Sequence, residues 1–297
     1  MSKFKLFLRA FGLLAIVLTI FPYIPLNSWV IRIFDFPHLQ LTVLTVLAFL
    51  TYFFRFELKS RIDQIFILIL FVCIGVQLRK IYIYTPLAKY EIEEASENAK
   101  VFLSIYAANV LQENEKKNLL VEDAKSKKAD ILLFTEIDHK WLKKIQESFQ
   151  NQYEYQVEVP LDNTYGMVLF SKYELFEPSV KYMVEDTIPS IHTKLVLSSK
   201  DTVQIFAIHP APPTPQHNPS SVDRDAEMMK IALLSKKSKY PVIVMGDFND
   251  VAWSETTELF QKVSGLLDSR KGRGLFNTFN AKSYIMRWPL DHIFSSA

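Results

Sequence analysis

The chain has 297 residues, of which 49% are hydrophobic and 22% charged, and its formal net charge at pH 7 is +2. A single cysteine excludes an intrachain disulfide framework or a cysteine-based metal site, and seven glycines leave no glycine-rich phosphate loop. The charge is uneven, because residues 1–89 carry 10 Lys/Arg and 3 Asp/Glu whereas residues 90–297 carry 24 and 29. The acidic second part argues against tight nonspecific binding of nucleic acid, which depends on basic side chains.

Three apolar segments in the first part of the chain predict membrane-spanning helices. They cover residues 6–26, 39–54 and 64–78. A helix needs about 20 residues to cross the hydrocarbon core of a bilayer, so the second and third segments need flanking residues. The basic start of the first segment is typical of a cleaved signal peptide, but Pro22 and Pro25 stand where a small-residue cleavage site would follow. We therefore predict a retained anchor of about three helices over residues 1–89.

The basic residues between these segments predict the orientation of the anchor. The N-terminal tail and the loop after the second segment each carry three Lys/Arg, whereas the loop after the first carries only Arg32. Because short basic loops stay on the cytoplasmic side, we expect the chain after the third segment to lie on the opposite, extracytoplasmic side of the membrane. The sequence thus predicts an integral protein of a bacterial cell membrane with an extracytoplasmic domain over residues 90–297, and a cytoplasmic domain is the alternative.

Residues 90–297 alternate β-type apolar runs with amphipathic helical patterns. The predicted strands are residues 101–110, 130–137, 153–159, 166–171, 193–199, 202–209, 240–248 and 289–296. The predicted helices are residues 114–129, 141–150 and 221–239. A hairpin-length turn at Lys200-Asp201 does not fit a purely parallel sheet. We predict an α/β fold, a four-layered sandwich in which two mixed sheets pack together between outer helices.

Polar side chains recur where the predicted strands end. They are Asn109, Glu136, His209, Asp247, Asn249 and Asp291. Each alone has an ordinary structural explanation, since Asn and Asp close turns and a histidine can belong to a loop. Their shared position favours a functional site, because strand ends at one edge of a sandwich converge.

These residue types suit the hydrolysis of a phosphate ester. Asn109 and Glu136 offer hard oxygen ligands, which suit Mg²⁺ or Mn²⁺ rather than zinc. His209 and Asn249 can donate hydrogen bonds to nonbridging phosphate oxygens and stabilise the charge of the transition state. Asp247 can orient or deprotonate an attacking water, or stabilise the leaving oxygen. A bound metal would add Lewis-acid polarisation.

The same stretches resemble motifs of the endonuclease/exonuclease/phosphatase superfamily, which includes deoxyribonucleases and neutral sphingomyelinases. The stretch MGDFND resembles the family's Gly-Asp-x-Asn motif, and TYGMVLFSK resembles its central strand. SIYAANV and LLFTEI resemble the strands that end in metal-site residues, here Asn109 and Glu136. FAIHPAPP and PLDHIF resemble the strands that carry a catalytic His and Asp, here His209 and Asp291.

The resemblance implies a divalent-metal enzyme whose catalytic residues are His209, Asp247, Asn249 and Asp291. Its cofactor would be Mg²⁺ or Mn²⁺, and its substrate a phosphate ester of nucleic acid or of a phospholipid head group. Arg224 stands where helices before the Gly-Asp-x-Asn motif often carry an arginine.

One motif of the family is missing from this resemblance. The family ends with Ser-Asp-His, whose histidine serves as general base, but Asp291-His292 matches the preceding motif by context. Three explanations stay open: the domain is incomplete at its C-terminus, the protein has lost its base, or Asp291-His292 is the terminal motif of a shortened variant. The leading prediction is a membrane-tethered phosphodiesterase or phosphatase. The alternative is a catalytically inactive membrane-anchored scaffold or sensor on the same fold.

Overall fold

The computed structural model describes residues 3–96, 98, 102–215 and 218–297 and divides into two compact units. The helical unit comprises Met1–Tyr90, Pro213–Ser221 and Arg270–Pro289. The sheet unit comprises Glu91–Pro212, Val222–Ser269 and Leu290–Ala297. Two internal segments, Pro213–Ser221 and Arg270–Pro289, thus belong to the helical unit although the chain on both sides of each belongs to the sheet unit.

The helical unit is built on three apolar helices and one short one. They are α1 (Lys3–Ile20), α2 (Trp29–Arg32), α3 (His38–Phe53) and α4 (Arg61–Tyr82). The stretches Lys3–Tyr23 and Arg61–Tyr82 are long enough to cross a membrane and have mean hydropathies of 2.1 and 2.0. The third candidate is bent by 73° between Trp29–Asp35 and His38–Phe53. Two or three helices are therefore apolar enough to span a bilayer.

A buried ionic cluster joins these helices at the end where α1 begins. Asp63 in the first turn of α4 is fully buried and accepts from Lys5 Nζ at 2.5 Å and from Arg9 Nη2 at 2.5 Å. Tyr52 near the end of α3 donates to the same carboxylate at 2.8 Å. A buried carboxylate is costly unless it is paired, so this cluster fixes the helices in one register.

The first sheet of the sheet unit has four strands. They are β1 (Ile105–Asn109), β2 (Ile131–Thr135), β3 (Tyr155–Val159) and β4 (Met167–Ser171). Their order is β1-β2-β4-β3, with β1 parallel to β2 and the other pairs antiparallel. Helix α5 (Lys117–Lys127) connects β1 to β2, and α6 (His139–Phe149) follows β2. Val101, where the first strand is predicted to begin, lies outside the described residues.

The second sheet has six strands. They are β5 (Glu174–Tyr182), β6 (Pro189–Val196), β7 (Thr202–Ile208), β8 (Val242–Asp247), β9 (Leu267–Asp268) and β10 (Asp291–Ser295). Their order is β5-β6-β7-β8-β10-β9, and only β7 and β8 are parallel. Helix α7 (Val222–Lys237) precedes β8, and α8 (Glu255–Ser264) follows it. The predicted hairpin at Lys200-Asp201 is confirmed, since Val196 pairs with Thr202.

Three apolar layers hold the sheet unit together. Leu133 and Leu169 from the first sheet pack with Ile205 and Met245 from the second. The other face of the first sheet packs on α5 and α6, and the other face of the second sheet packs on α7 and α8. The fold is therefore mixed α/β, with two mixed sheets flanked by helices.

Three elements of the sheet unit were not predicted from the sequence, namely β5, α8 and the two-residue strand β9. Strand β5 contains Pro178 beside Glu177, whose φ of 50° marks a bulge where the register with β6 shifts. Proline is tolerated at edges and bulges, so β5 lacks the simple alternation that marks a strand. Helix α8 is capped at its N-terminus by Ser254, whose side chain accepts from Thr257 N, and at its C-terminus by Gly265.

Gly246 at the end of β8 provides a test of this packing. A Cβ there would lie 2.0 Å from Ile208 O, and φ is 138°. We expect Gly246→Ala to lower the free energy of unfolding by about 3 kcal/mol or more, because backbone strain of about 1–3 kcal/mol adds to a clash with neighbouring β7. The control Gly265→Ala, with φ of 76° and open space around the Cβ, should cost only about 1–2 kcal/mol. Equal losses in chemical denaturation of the full chain in detergent would contradict the close approach.

Candidate active site

The predicted site residues of the two sheets meet at one edge of the sheet unit. Asn109 ends β1, and its Nδ2 donates to Glu136 Oε1 at 2.7 Å. The same nitrogen donates to Oδ2 of Asp247, at the end of β8, at 2.9 Å. Parallel pairs β1–β2 and β7–β8 bring these carboxyl ends to one edge, so three residues distant in sequence form one cluster.

Glu136 is held in an unusual backbone conformation directly after β2. Its φ is 63°, a value that few residues other than glycine, Asn and Asp adopt. Its second carboxylate oxygen accepts from Gln112 N at 3.0 Å, and Ile137 N donates to Gly166 O at 2.9 Å. These bonds fix the direction of the Glu136 side chain.

The turn after β8 positions Asp247 and Asn249. Asn249 has a φ of 50°, and its backbone N–H donates to Asp247 Oδ1 at 2.9 Å. The Asn249 side chain donates to Pro210 O at 3.0 Å, next to His209. The turn thereby ties the end of β7 to the end of β8.

His209 lies beside Asp247 in this edge. Its Nε2 is 3.9 Å from Asp247 Oδ2, and the residue is 2% exposed. Its Nδ1 is buried and has no hydrogen-bond partner among the described residues. One imidazole nitrogen therefore faces the carboxylate, and the other is buried without a partner among the described residues.

Tyr165 is a site residue that sequence reasoning missed. Its ring lies 5.3 Å from the His209 ring, between centroids. Burial, followed by the nearby carboxylates of Glu185, Glu136 and Asp247, raises the pKa of Tyr165 to about 12. The phenol therefore stays protonated at neutral pH and can donate a hydrogen bond. The stretch TYGMVLFSK contains it, but a tyrosine before a strand carries no distinctive spacing signal.

Arg224 in α7 holds the turn that follows β8. It is 1% exposed, and its guanidinium donates to Asn249 O at 3.0 Å and to Asp225 Oδ1 at 2.8 Å. It also lies 3.3 Å from Asp250 Oδ2. These contacts make Arg224 a positioning residue for the turn of residues 247–250.

Asp291 and His292 lie on opposite faces of β10. Asp291 pairs with Asp247 across the antiparallel β8–β10 ladder, so it belongs to the same edge. The His292 ring lies 4.9 Å from the Phe248 ring, and its Nε2 is 2.9 Å from Asp250 O. Because neighbouring residues of a strand point to opposite faces, Asp291 joins the site edge while His292 joins the core.

The oxygen donors at the edge fit a hard divalent cation. Glu136 and Asp247 both accept a hydrogen bond from the side-chain amide of Asn109. Neither carboxylate forms an ion pair with a described lysine or arginine. Two close carboxylates without a basic partner favour binding of a cation. Across the described ranges, no three His, Cys, Asp or Glu side chains form a metal-binding group. The candidate ligands remain the predicted Asn109 and Glu136, and Asp247 lies beside them.

Residues 103–297 match the sequence profile of the Endonuclease/Exonuclease/phosphatase family. The match covers well over half of the chain, and the chain belongs to this family. No curated protein matches the sequence.

Several solved structures share the fold of the sheet unit. A beta hairpin deletion mutant of beta toxin from Staphylococcus aureus has a TM-score of 0.52 and 16% identity, over 66% of this chain and 87% of the toxin chain. TDP2 of D. rerio, complexed with a single strand DNA product, has a TM-score of 0.54 and 15% identity, over 66% and 84%. An endonuclease/exonuclease/phosphatase family protein from Bacteroides thetaiotaomicron has a TM-score of 0.53 and 18% identity, over 65% and 83%. Likeness at these identities establishes the fold.

Glu227, one turn after Arg224 in α7, is a buried acid outside the candidate site. It is 2% exposed, and its Oε1 has no hydrogen-bond partner among the described residues. Burial, followed by the charge of Glu185, raises the pKa of Glu227 to about 8, and Lys230 opposes this shift. The folded protein therefore binds this proton more tightly than the unfolded chain does.

This shift predicts a stability that falls with rising pH. The unfolded chain loses the Glu227 proton near pH 4.5 and the folded chain near pH 8, so the contribution of this group declines across that window. We therefore expect the free energy of unfolding of Glu227→Gln, relative to that of the wild type, to increase by about 1 kcal/mol for each pH unit between 5 and 8. Denaturant titrations of the full chain at several pH values measure the difference. Glu258→Gln, exposed on α8, controls for loss of a carboxylate, and a pH-independent Glu227→Gln difference would contradict the burial argument.

Proposed function

We propose that the chain is a divalent-metal-dependent hydrolase of phosphate esters, tethered to a membrane by the helical unit. The observation that carries this proposal is the Asn109 amide, which joins Glu136 and Asp247 at an edge that also holds His209. Membership of the family supports the reaction class. The proposed scaffold is a four-layered α/β sandwich over residues 90–297, with an anchor over residues 1–89.

The residues at this edge divide into metal-binding and substrate-binding roles. In this proposal Asn109 and Glu136 hold Mg²⁺ or Mn²⁺, which when bound polarises a phosphoryl oxygen. His209 and Asn249 donate hydrogen bonds to nonbridging phosphate oxygens, and the protonated Tyr165 adds a third donor. Donors fixed before the reaction stabilise the developing charge without reorganisation.

Asp247 is the residue best placed to act on an attacking water. Asn249 N holds its Oδ1, so Oδ2 is the oxygen directed toward Asn109 and His209. In this role Oδ2 orients the water and accepts its proton, and Asp291 is the cross-strand neighbour of Asp247 in the β8–β10 ladder.

Two substrate classes fit this chemistry. A phospholipid head group is favoured by the two or three helices apolar enough to span a bilayer. Nucleic acid is supported by the DNA product bound to the similar fold of TDP2. The proposed location is a bacterial cell membrane. The sheet unit is placed outside because the N-terminal tail and the loop after α3 each carry three Lys/Arg, and such short basic segments stay on the cytoplasmic side.

The alternative proposal is a catalytically inactive scaffold or sensor on the same fold. The observation that favours it is the core position of His292, which keeps this histidine away from the site edge. The activity measurement below separates the two proposals.

Hydrolysis of bis(4-nitrophenyl) phosphate by the purified full chain with Mg²⁺ tests the catalytic assignment. We expect Asp247→Asn and His209→Ala to lower kcat/KM by about 10²–10⁴-fold, because each removes a positioned group of the site. Asp201→Asn, an exposed hairpin substitution, should keep wild-type turnover. Wild-type turnover in the Asp247 and His209 variants would contradict the site. A folded wild type without turnover on this ester, DNA or phospholipid would favour the scaffold.

Metal removal tests the ligand assignment separately. Chelation with EDTA should abolish turnover, and added Mg²⁺ should restore it. Glu136→Gln should raise the Mg²⁺ concentration for half-maximal activity by at least about 10-fold, since loss of a metal-site group commonly costs 10–100-fold in affinity. Glu113→Gln, an exposed change in the loop after β1, is the matched control. Equal Mg²⁺ requirements in both variants would show that Glu136 is not a ligand.

A further inference from the structure

Two segments of the helical unit pack against one end of its helices. Ser221 N donates to Asn27 O at 2.7 Å, and Trp29 N donates to Pro219 O at 2.8 Å. Gly272 N donates to Ile83 O at 2.8 Å. Asn27 and Trp29 lie between α1 and the start of α2, and Ile83 follows α4. Both segments therefore contact the helices at the end opposite the Asp63 cluster.

The second of these segments exposes an unusual number of large apolar side chains. We call residues 276–288 the aromatic loop. Tyr284 is 99% exposed, Ile285 72% and Phe276 60%, with Phe279 and Met286 also exposed. Apolar side chains clustered in this way on a surface mark an interaction site. Lys282 and Arg287 add positive charge to the same segment.

The aromatic loop is attached to the start of α3. Gln40 in the first turn of α3 donates a side-chain hydrogen bond to Ile285 O. The Trp288 ring meets the Phe36 ring edge-on at 5.8 Å and stacks on the Phe279 ring at 5.9 Å. The loop is therefore level with the first turn of an apolar helix whose outward side chains include Val43 and Leu47.

The length of α3 sets the depth of this contact. Its 16 residues span about 24 Å, whereas the hydrocarbon core of a bilayer is about 30 Å thick. If α3 crosses the membrane, its first turn cannot rise clear of the interface. Whatever is attached to that turn lies at the boundary between hydrocarbon and head groups, where Trp and Tyr are enriched.

We propose that the aromatic loop is an interfacial element that binds the lipid head-group layer of the membrane holding the helices. Tyr284, Ile285 and Met286 contact the acyl boundary, and Lys282 and Arg287 bind lipid phosphates. The proposal rests on the proposed membrane crossing of the helical unit. It commits to the bilayer as the occupant because the loop is tied to an apolar helix turn and carries interfacial residue types.

Depth-dependent fluorescence quenching tests this inference. Full-length variants Tyr284→Cys and Ile285→Cys are labelled with an NBD fluorophore and reconstituted in phosphatidylcholine–phosphatidylglycerol vesicles. We expect blue-shifted emission, quenching by lipids with a shallow nitroxide, and protection from iodide. Leu119→Cys, 65% exposed on α5, is the matched aqueous control and should show the reverse. Cys73 is buried, and the unsubstituted chain measures any labelling of it.

A fourth probe keeps this inference separate from the anchor proposal. Val43→Cys, on the outward face of α3, should be quenched by lipids with deep nitroxides if the helix crosses the membrane. Lipid quenching at residue 43 with iodide quenching at 284 and 285 would overturn the interfacial loop alone. Iodide quenching at all three would overturn the anchor as well.

The charges of the aromatic loop give a second measurement that does not alter its apolar side chains. Lys282→Gln with Arg287→Gln should reduce lipid quenching at residue 285 in anionic vesicles and leave quenching at residue 43 unchanged. Unchanged quenching at both positions would contradict the assigned role of the two cations.

Discussion

The candidate site depends on the proximity of two carboxylates that belong to different sheets. Glu136 comes from the first sheet and Asp247 from the second, and one Asn109 amide donates to both. Like charges at such short range in a partly desolvated edge repel each other strongly. A proton, an amide donor or a cation must balance them, and the amide alone supplies only partial positive charge. The edge therefore combines the negative charge, hard donors and fixed geometry that suit a divalent cation.

This proximity is maintained by backbone conformations that cost free energy. Glu136, Asn249 and Gly246 all have positive φ, with values of 63°, 50° and 138°. Each strained non-glycine residue costs on the order of 1–3 kcal/mol and persists only where its surroundings fix it. Gln112 N holds Glu136, and Arg224 holds Asn249 O. The buried Arg224 guanidinium thus supports the shape of the turn that carries Asp247 and Asn249. These hydrogen bonds hold the two strained residues, Glu136 and Asn249, in the conformations that place them at the site edge.

The sequence was most informative where side-chain pattern and function coincide. Apolar runs ending in polar residues located β1, β2, β7 and β8, and hence Asn109, Glu136, His209 and Asp247. Strand β5 escaped prediction because a proline and a bulge interrupt its alternation. Tyr165 escaped because its role comes from spatial proximity to His209 and two carboxylates. The return of residues 270–289 to the helical unit uses backbone groups such as Gly272 N and Ile83 O, which no residue pattern marks.

The helical unit is chemically unlike at its two ends, and this asymmetry bears on its proposed orientation. One end buries Asp63 among Lys5, Arg9 and Tyr52, and the basic residues Arg55, Lys59 and Arg61 lie between the end of α3 and the first turn of α4. The other end carries Trp29, Trp288, Tyr284 and the docked segments, and it also has basic residues, namely Arg79, Lys80, Lys282 and Arg287. Lysine and arginine retain a helix end on the cytoplasmic side, whereas Trp and Tyr suit either interface. In the proposed orientation the basic cluster lies on the cytoplasmic side and the aromatic end at the opposite interface. The segments Pro213–Ser221 and Arg270–Pro289 both belong to this aromatic end of the helical unit.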